Sequence, residues 1–187
     1  MTSLNTRGDG AAHSTGLIVG AGIVALAVAM GVGRFAFTPM LPLMLRDGTI
    51  TAATGAEWAA ANYAGYLAGA FTSARFSHNP RLGLLVALFG VAIVTPAVAL
   101  LDPGASALPG ILLRAIAGVF SAWVLVCASS LCLAELARRH AARAGGWIYT
   151  GVGAGIALTG TLTWLGGRQP AGAAAKAGLQ QEDGSED

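Results

Sequence analysis

Charge is what this sequence has least of. Only 11% of its 187 residues are charged, whereas 55% are hydrophobic, and an ordinary soluble domain carries about 25% charge. The chain has two cysteines and three histidines, and it contains no Ser-His-Asp, HExxH or CxxC combination. These absences disfavour an enzyme and leave no candidate for a metal or cofactor site. The net charge is +2, and the basic residues form no stripe outside the connecting segments. We therefore expect no nucleic-acid partner.

The two cysteines, Cys127 and Cys132, lie five residues apart in one apolar segment. Residues at that spacing point to different faces of a helix. We therefore interpret them as two small hydrophobic residues rather than a disulfide or a metal site.

Long apolar segments separated by short polar connections dominate the chain. A helix needs about 20 apolar residues to cross a hydrocarbon core of roughly 30 Å. Five segments meet or approach this length: 16–45, 57–74, 82–101, 107–136 and 147–165. The second is the weakest, because Asn62, Tyr63 and Tyr66 dilute it. The sequence predicts an all-α integral membrane protein with one bundle of five transmembrane helices.

The predicted bundle covers residues 16–167, and we expect the flanking segments 1–15 and 168–187 to be disordered because their hydrophobicity is low. Two of the predicted helices have recognisable start signals. Thr54 followed by Glu57 predicts a capping box for the second helix. Asn79 followed by Pro80 predicts an N-cap and a first helical residue for the third.

The distribution of arginine predicts the orientation. With the N-terminus inside, one arginine, Arg46, lies in the outer connections between helices, and six lie in inner segments: Arg7, Arg75, Arg81, Arg138, Arg139 and Arg143. Positive residues concentrate on the cytoplasmic side of membrane proteins. We therefore expect a multi-pass protein with a cytoplasmic N-terminus. The basic loop "ELARRHAARAGG" is interpreted as a topology determinant, with contact to lipid headgroups as the alternative.

Arg34 lies inside the first apolar run. At 1.5 Å per residue it is about 25 Å from the start of the run at Leu17 and about 16 Å from Leu45. An arginine at the centre of a membrane helix costs about 2.5–3.5 kcal/mol and usually faces the bundle interior or a wet cavity. The alternative is a side chain that snorkels to the outer interface.

Arg114 lies seven residues into the fourth segment, about 10 Å from its outer edge. No aspartate or glutamate lies deep in any segment. If both arginines face one cavity, they would attract a small anion or a carboxylate from elsewhere in the protein. Arg34 and Arg114 are therefore the leading candidates for a solute-binding site.

Asn62 and Tyr66 lie four residues apart, so they share one face of the second helix. Such groups hydrogen-bond between membrane helices or line cavities, and both interpretations stay open. In the fifth segment, Gly151 and Gly155 form a small-xxx-small face for close helix packing. Pro39 and Pro42 near the end of the first run predict either a kink or a helix end.

Three stretches resemble the N-terminal half of a major facilitator superfamily transporter of the bacterial YbfB/YjiJ group. They are "MGVGRFAFTPMLPLM" from Met30, "ANYAGYLAGAF" from Ala61 and "LLRAIAGVFSAWVLVCASSL" from Leu112. Arg114 and Gly118 match the R-x-x-x-G pattern that many members carry in the fourth helix. The resemblance implies a fold of two six-helix halves, with Arg34 and Arg114 in the central cavity and location in the bacterial inner membrane.

The chain departs from the pattern of the superfamily in three places. Ser73 occupies a position where an acidic residue is expected, and the fifth helix lacks the Gly-Pro pair of antiporters. Five of the twelve expected helices are present. We therefore expect a transporter of a small solute, with a bias to anions, in an incomplete form that needs a partner half or self-association. The alternatives are a small structural or interaction protein in contact with membrane lipid, or a truncated fragment without function.

Overall fold

The structure, a computed structural model, describes residues 6–101 and 107–166. In those residues the chain forms six α-helices and no strand. The helices are α1 (Thr6–Leu26), α2 (Phe37–Arg46), α3 (Ala52–Thr72), α4 (Pro80–Ala97), α5 (Ala107–Arg138) and α6 (Thr150–Gly166). A π-helical segment, Ala27–Val32, follows α1, and short 3-10 turns follow α3 and α4 and precede α6. The all-α prediction is confirmed.

Four stretches of this bundle are long and apolar enough to cross a membrane. They are Ser14–Arg46, Pro80–Ala97, Ala107–Arg138 and Ala142–Gly166. Helix α3 is not among them, although its 21 residues would span about 30 Å. Its sequence contains Glu57, Asn62 and two tyrosines, which lower its hydropathy. It is nevertheless a complete helix that packs along α5.

The boundaries of the first predicted segment differ from those observed. The predicted run 16–45 is divided into α1, the π-helical segment, a turn and α2, and helix begins at Thr6 rather than at residue 16. Residues 6–15 are therefore helical and not disordered as predicted. These polar residues form the first turns of α1, which continues into its apolar part. Ser14 accepts a hydrogen bond from the Arg139 guanidinium, which links this part of α1 to the end of α5. The tail 168–187 and residues 1–5 lie outside the described residues.

The interruption between α1 and α2 follows from glycine and proline. The backbone N–H groups of Gly33 and Phe35 donate to carbonyls five residues earlier, Val28 and Met30, at 2.8 and 3.1 Å. Pro39, four residues after Phe35, has no N–H to donate, and its ring opposes helical placement of the Phe35 carbonyl. The α-helix is therefore interrupted at residues 33–36, where Arg34 lies, before it resumes at Phe37.

The start signals of α3 and α4 have different outcomes. Thr51, not Thr54, caps α3, and its side chain accepts a hydrogen bond from the Thr54 backbone N–H at 3.2 Å. The capping box predicted at Thr54 was therefore placed three residues too late, because a second threonine precedes it. The N-cap at Asn79 is confirmed, with its side chain accepting from the Leu82 N–H at 3.1 Å.

Helix α5 lies at the centre of the bundle, where it packs against α1, α3, α4 and the π-helical segment. A buried apolar cluster surrounds it, made largely of small side chains: Leu26, Ala29, Ala87, Val91, Val124, Ala128 and Ile148. Large apolar side chains such as Phe71, Leu85 and Phe89 point outwards and are 77%, 68% and 69% exposed. Small residues inside and large apolar residues outside are typical of helices that pack in lipid.

Glycines bring the helix backbones into direct contact at two interfaces. A Cβ on Gly118 of α5 would lie 2.2 Å from the Asn62 carbonyl oxygen of α3. On α6, a Cβ on Gly151 would lie 2.1 Å from the Ile23 oxygen, and one on Gly155 would lie 2.5 Å from the Ala27 oxygen. The three glycines proposed to pack helices therefore lie where no larger residue has room.

We predict that Gly118→Ala destabilises the bundle, because the new methyl group would force α3 and α5 apart. Overpacking of this kind costs about 1–3 kcal/mol. Gly153→Ala is the matched control, since a Cβ there meets no atom within 4 Å and alanine favours helix by about 1 kcal/mol. Thermal unfolding of the purified protein in detergent measures both; equal melting temperatures for the two variants would contradict the prediction.

Candidate functional site

Arg34 is buried at the interruption between the π-helical segment and α2. Its side chain is 8% exposed, and its guanidinium carbon lies 3.8 Å from the ring centroid of Tyr66 and 5.0 Å from that of Tyr63. A cation over an aromatic face is stabilised by the ring quadrupole. The alternative, in which the Arg34 side chain snorkels to the outer interface, therefore does not hold. Arg34 is held against α3 by aromatic rings.

Arg114 lies beside Arg34, in the first half of α5. It is 6% exposed, and its Nη2 donates a hydrogen bond to the Arg34 carbonyl oxygen at 3.3 Å. Its guanidinium carbon lies 4.6 Å from the Phe37 ring centroid. The structure thus brings together the two arginines that are 80 residues apart in the sequence, which is the condition that the anion hypothesis set.

Both guanidinium groups keep unused hydrogen-bonding capacity. The Nε atoms of Arg34 and Arg114 are buried and have no hydrogen-bond partner among the described residues. Across residues 6–101 and 107–166, ion pairs join Arg46 to Asp47 and join Glu135 to Arg138 and Arg139, and none reaches the two buried arginines. Two neighbouring cations without a carboxylate form a local excess of positive charge in an apolar setting.

Asn62 and Tyr66 hold this pair in place from α3. Asn62 is 3% exposed, and its Nδ2 donates to the Arg114 carbonyl oxygen at 2.9 Å. Its amide therefore links α3 to α5, as the packing interpretation expected. Tyr66 supplies the ring nearest to the Arg34 guanidinium, so the two residues on one helix face position different arginines. Gly118 completes the arrangement, because its missing side chain lets α3 approach α5.

Three aromatic residues of the site were missing from the sequence prediction. Phe37 covers Arg114, Tyr63 covers Arg34 from its exposed position, and Trp58 lies 6.1 Å from the Phe37 ring centroid. Trp58 also donates its indole N–H to the Ala107 oxygen at 3.2 Å, which fixes the start of α5 against α3. These contacts join different helices, so only the adjacency of Tyr63 to Asn62 gave a signal in the sequence.

The arrangement places two cations at one level of the bundle, surrounded by aromatic faces. Such a cluster can accept an anion through charge-assisted hydrogen bonds, since guanidinium groups form bidentate pairs with carboxylate and phosphate. In the described part of the chain, no group of three or more histidine, cysteine or acidic residues is placed to hold a metal ion.

The helical fold with several apolar spans defines a multi-pass membrane protein. Residues 26–176 match the family described as "Uncharacterised MFS-type transporter YbfB". That stretch covers more than half of the chain and contains Arg34, Asn62, Tyr66 and Arg114. The chain therefore belongs to this family of major facilitator transporters, as the resemblance predicted. Comparison with curated proteins and with solved structures gives no match.

We predict that Tyr66→Leu destabilises the protein because it removes the ring beneath the Arg34 guanidinium. A desolvated cation–π contact contributes about 2 kcal/mol. Tyr66→Phe keeps the ring, so it should change the free energy of unfolding by less than about 0.5 kcal/mol. That change is well below the contribution of the cation–π contact. Thermal unfolding in detergent measures both variants, and an equal loss in the two would show that the hydroxyl, not the ring, matters.

Proposed function

We propose that this chain supplies one helical bundle of a secondary transporter that binds a small anionic solute at Arg34 and Arg114. Membership of a major facilitator family supports transport rather than catalysis. The single observation that carries the choice of an anion is the pair of adjacent buried arginines whose Nε atoms have no partner among the described residues.

The charge balance favours an anion over a cation or a neutral solute. The two guanidinium groups repel each other, and burial in an apolar bundle strengthens that repulsion. A carboxylate, phosphate or similar group between them would replace the repulsion with two charge-assisted hydrogen bonds. A second cation would add to the repulsion.

Access to the site supports a second bundle as a partner. Tyr63, which covers Arg34, is 60% exposed, so Arg34 lies beneath one layer of side chains at the surface of α3. A solute bound there would be enclosed by this bundle on one side. Transport by alternating access requires a second bundle to move against it, and we propose that another half or a second copy of the chain provides it.

The alternative of a structural interaction protein depended on free glycine faces. Gly151 and Gly155 contact the backbones of Ile23, Ala27 and Gly31 within the bundle, and Gly118 contacts α3. These faces are occupied inside the protein, so they offer no surface to a partner and do not favour that alternative.

A binding experiment with the purified chain tests the anion proposal. Melting temperature is measured in detergent with sodium phosphate, sulfate, acetate or citrate at matched ionic strength. We expect at least one of these anions to stabilise the protein, by about 2.7 kcal/mol at 100 times its Kd. Arg34→Gln and Arg114→Gln should each abolish that stabilisation.

Arg46→Gln is the control for this experiment, because Arg46 is exposed and paired with Asp47. It should keep the full anion effect. No stabilisation by any of the four anions, or the same loss in all three variants, would contradict the proposal.

We also propose the bacterial inner membrane as the location, with the N-terminus and the loop 139–149 on the cytoplasmic side. The arginine distribution supports this orientation, since Arg75, Arg81, Arg138 and Arg143 lie at the ends of α3, α4 and α5 that meet the start of α1. The opposite ends of the helices carry Arg46.

We predict that a cysteine at position 142 is protected from a membrane-impermeant maleimide in intact cells, whereas one at position 53 is labelled. Ala142 and Ala53 are both exposed, at opposite ends of the bundle. The background variant replaces the native cysteines, Cys127 and Cys132, with alanine. Permeabilised cells give the control in which both positions react. Labelling of position 142 alone in intact cells would reverse the proposed orientation.

A further inference from the structure

Two grooves that share a wall lie between α1 and α4. The first is a cavity of about 430 Å³ at the end of the bundle where α1 starts and α5 ends. Its lining combines Ile18, Ala21 and Cys132 with the charged residues Arg81, Glu135, Arg138 and Arg139. The second has a volume of about 850 Å³ and is lined only by apolar residues and glycine. Ala21, Ala25 and Leu84 line both, so the two are continuous.

The charged groove has an excess of positive charge. Glu135 pairs with both Arg138 and Arg139, at 2.6 Å from its Oε1 to the Arg139 Nε. Arg81 forms no ion pair with any described residue. Three guanidinium groups face one carboxylate, which leaves the mouth of the groove suited to an anionic group.

The length of the apolar groove matches one leaflet of a bilayer. It runs from Gly16 on α1 to Val28 in the π-helical segment, which at 1.5 Å per residue is about 18 Å. Half of a hydrocarbon core of roughly 30 Å is about 15 Å. The basic mouth lies where the apolar span of α1 begins, so it is at headgroup level when the groove lies in the hydrocarbon.

We propose that this composite groove is a binding site for an anionic phospholipid. The phosphate lies at Arg81, Arg138 and Arg139, and one acyl chain lies along α1 and α4 between Gly20 and Leu88. The charge of the mouth selects the headgroup, and the apolar lining accepts the chain. The site is separate from the buried arginines of the transport proposal, because neither Arg34 nor Arg114 lines either groove.

Native mass spectrometry of the delipidated chain in detergent tests the site. The protein is titrated with dioleoyl phosphatidylglycerol and, separately, with dioleoyl phosphatidylcholine, which have the same chains and different headgroup charge. Each arginine near an anionic surface contributes about 1 kcal/mol, which is about fivefold in Kd. We therefore expect phosphatidylglycerol to bind at least tenfold more tightly, by the same conversion.

Charge variants test the mouth of the groove. The double variant Arg81→Gln/Arg138→Gln should reduce the preference for phosphatidylglycerol by about 25-fold, or to none. Arg143→Gln removes a charge at the same end of the bundle from a residue that does not line the groove, so it should keep the preference. Equal affinity for the two lipids, or equal loss in Arg143→Gln, would overturn the proposal.

A bulky residue tests the apolar part. A Cβ on Gly20 meets no atom within 4 Å, so Gly20→Trp fills the groove without displacing the helices. It should weaken binding of both lipids at least tenfold, since it displaces a chain whose buried CH₂ groups contribute about 0.8 kcal/mol each. Gly153→Trp on α6 is the control, because a Cβ there also meets no atom.

Two results of this experiment count against the lipid. Unchanged lipid affinity in Gly20→Trp would show that the acyl chain binds elsewhere. A dimer that persists after delipidation and is disrupted by Gly20→Trp would show that a second copy of the chain, not a lipid, covers the groove.

Discussion

Burying two contacting arginines in an apolar bundle is the constraint on which the rest of this structure depends. A single arginine at the centre of a membrane helix costs about 2.5–3.5 kcal/mol, and two adjacent cations add their repulsion. The protein offsets part of this through the rings of Tyr66 and Phe37 and through the Arg34 carbonyl that accepts from Arg114. Each of these groups belongs to a different part of the chain, so the helices must meet in one register.

That register is maintained by backbone contacts. Gly118 lets α3 approach α5 closely enough for Asn62 to reach the Arg114 carbonyl. Gly155 lets the π-helical segment that precedes Arg34 pack directly against α6. The buried cluster around α5 contains mostly alanine and valine, so it contributes little large apolar surface. Close van der Waals contact between backbones replaces the large hydrophobic core of a soluble domain.

Much of this was accessible from the sequence because the signals were local. Five apolar runs gave the helices, Asn79 with Pro80 gave the start of α4, and the absence of acidic residues in those runs gave Arg34 and Arg114 as a pair. The sequence did not reveal the interruption at residues 33–36, because glycine and proline are compatible with several backbone paths. It also did not reveal that Phe37 covers Arg114 or that Trp58 fixes the start of α5, since those contacts depend on how α2, α3 and α5 pack.

The π-helical segment Ala27–Val32 has one geometric consequence for the arginine that follows it. A turn of this kind holds one residue more than an ordinary turn, so every side chain after it is rotated by about 100° from its place in an uninterrupted helix. A continuous helix through these residues would point Arg34 to another side of the span, away from Tyr66. The uncharged segment Ala27–Val32 therefore sets the direction in which the Arg34 side chain points around the helix axis. A single residue inserted or deleted in that segment would turn Arg34 to another side of the helix.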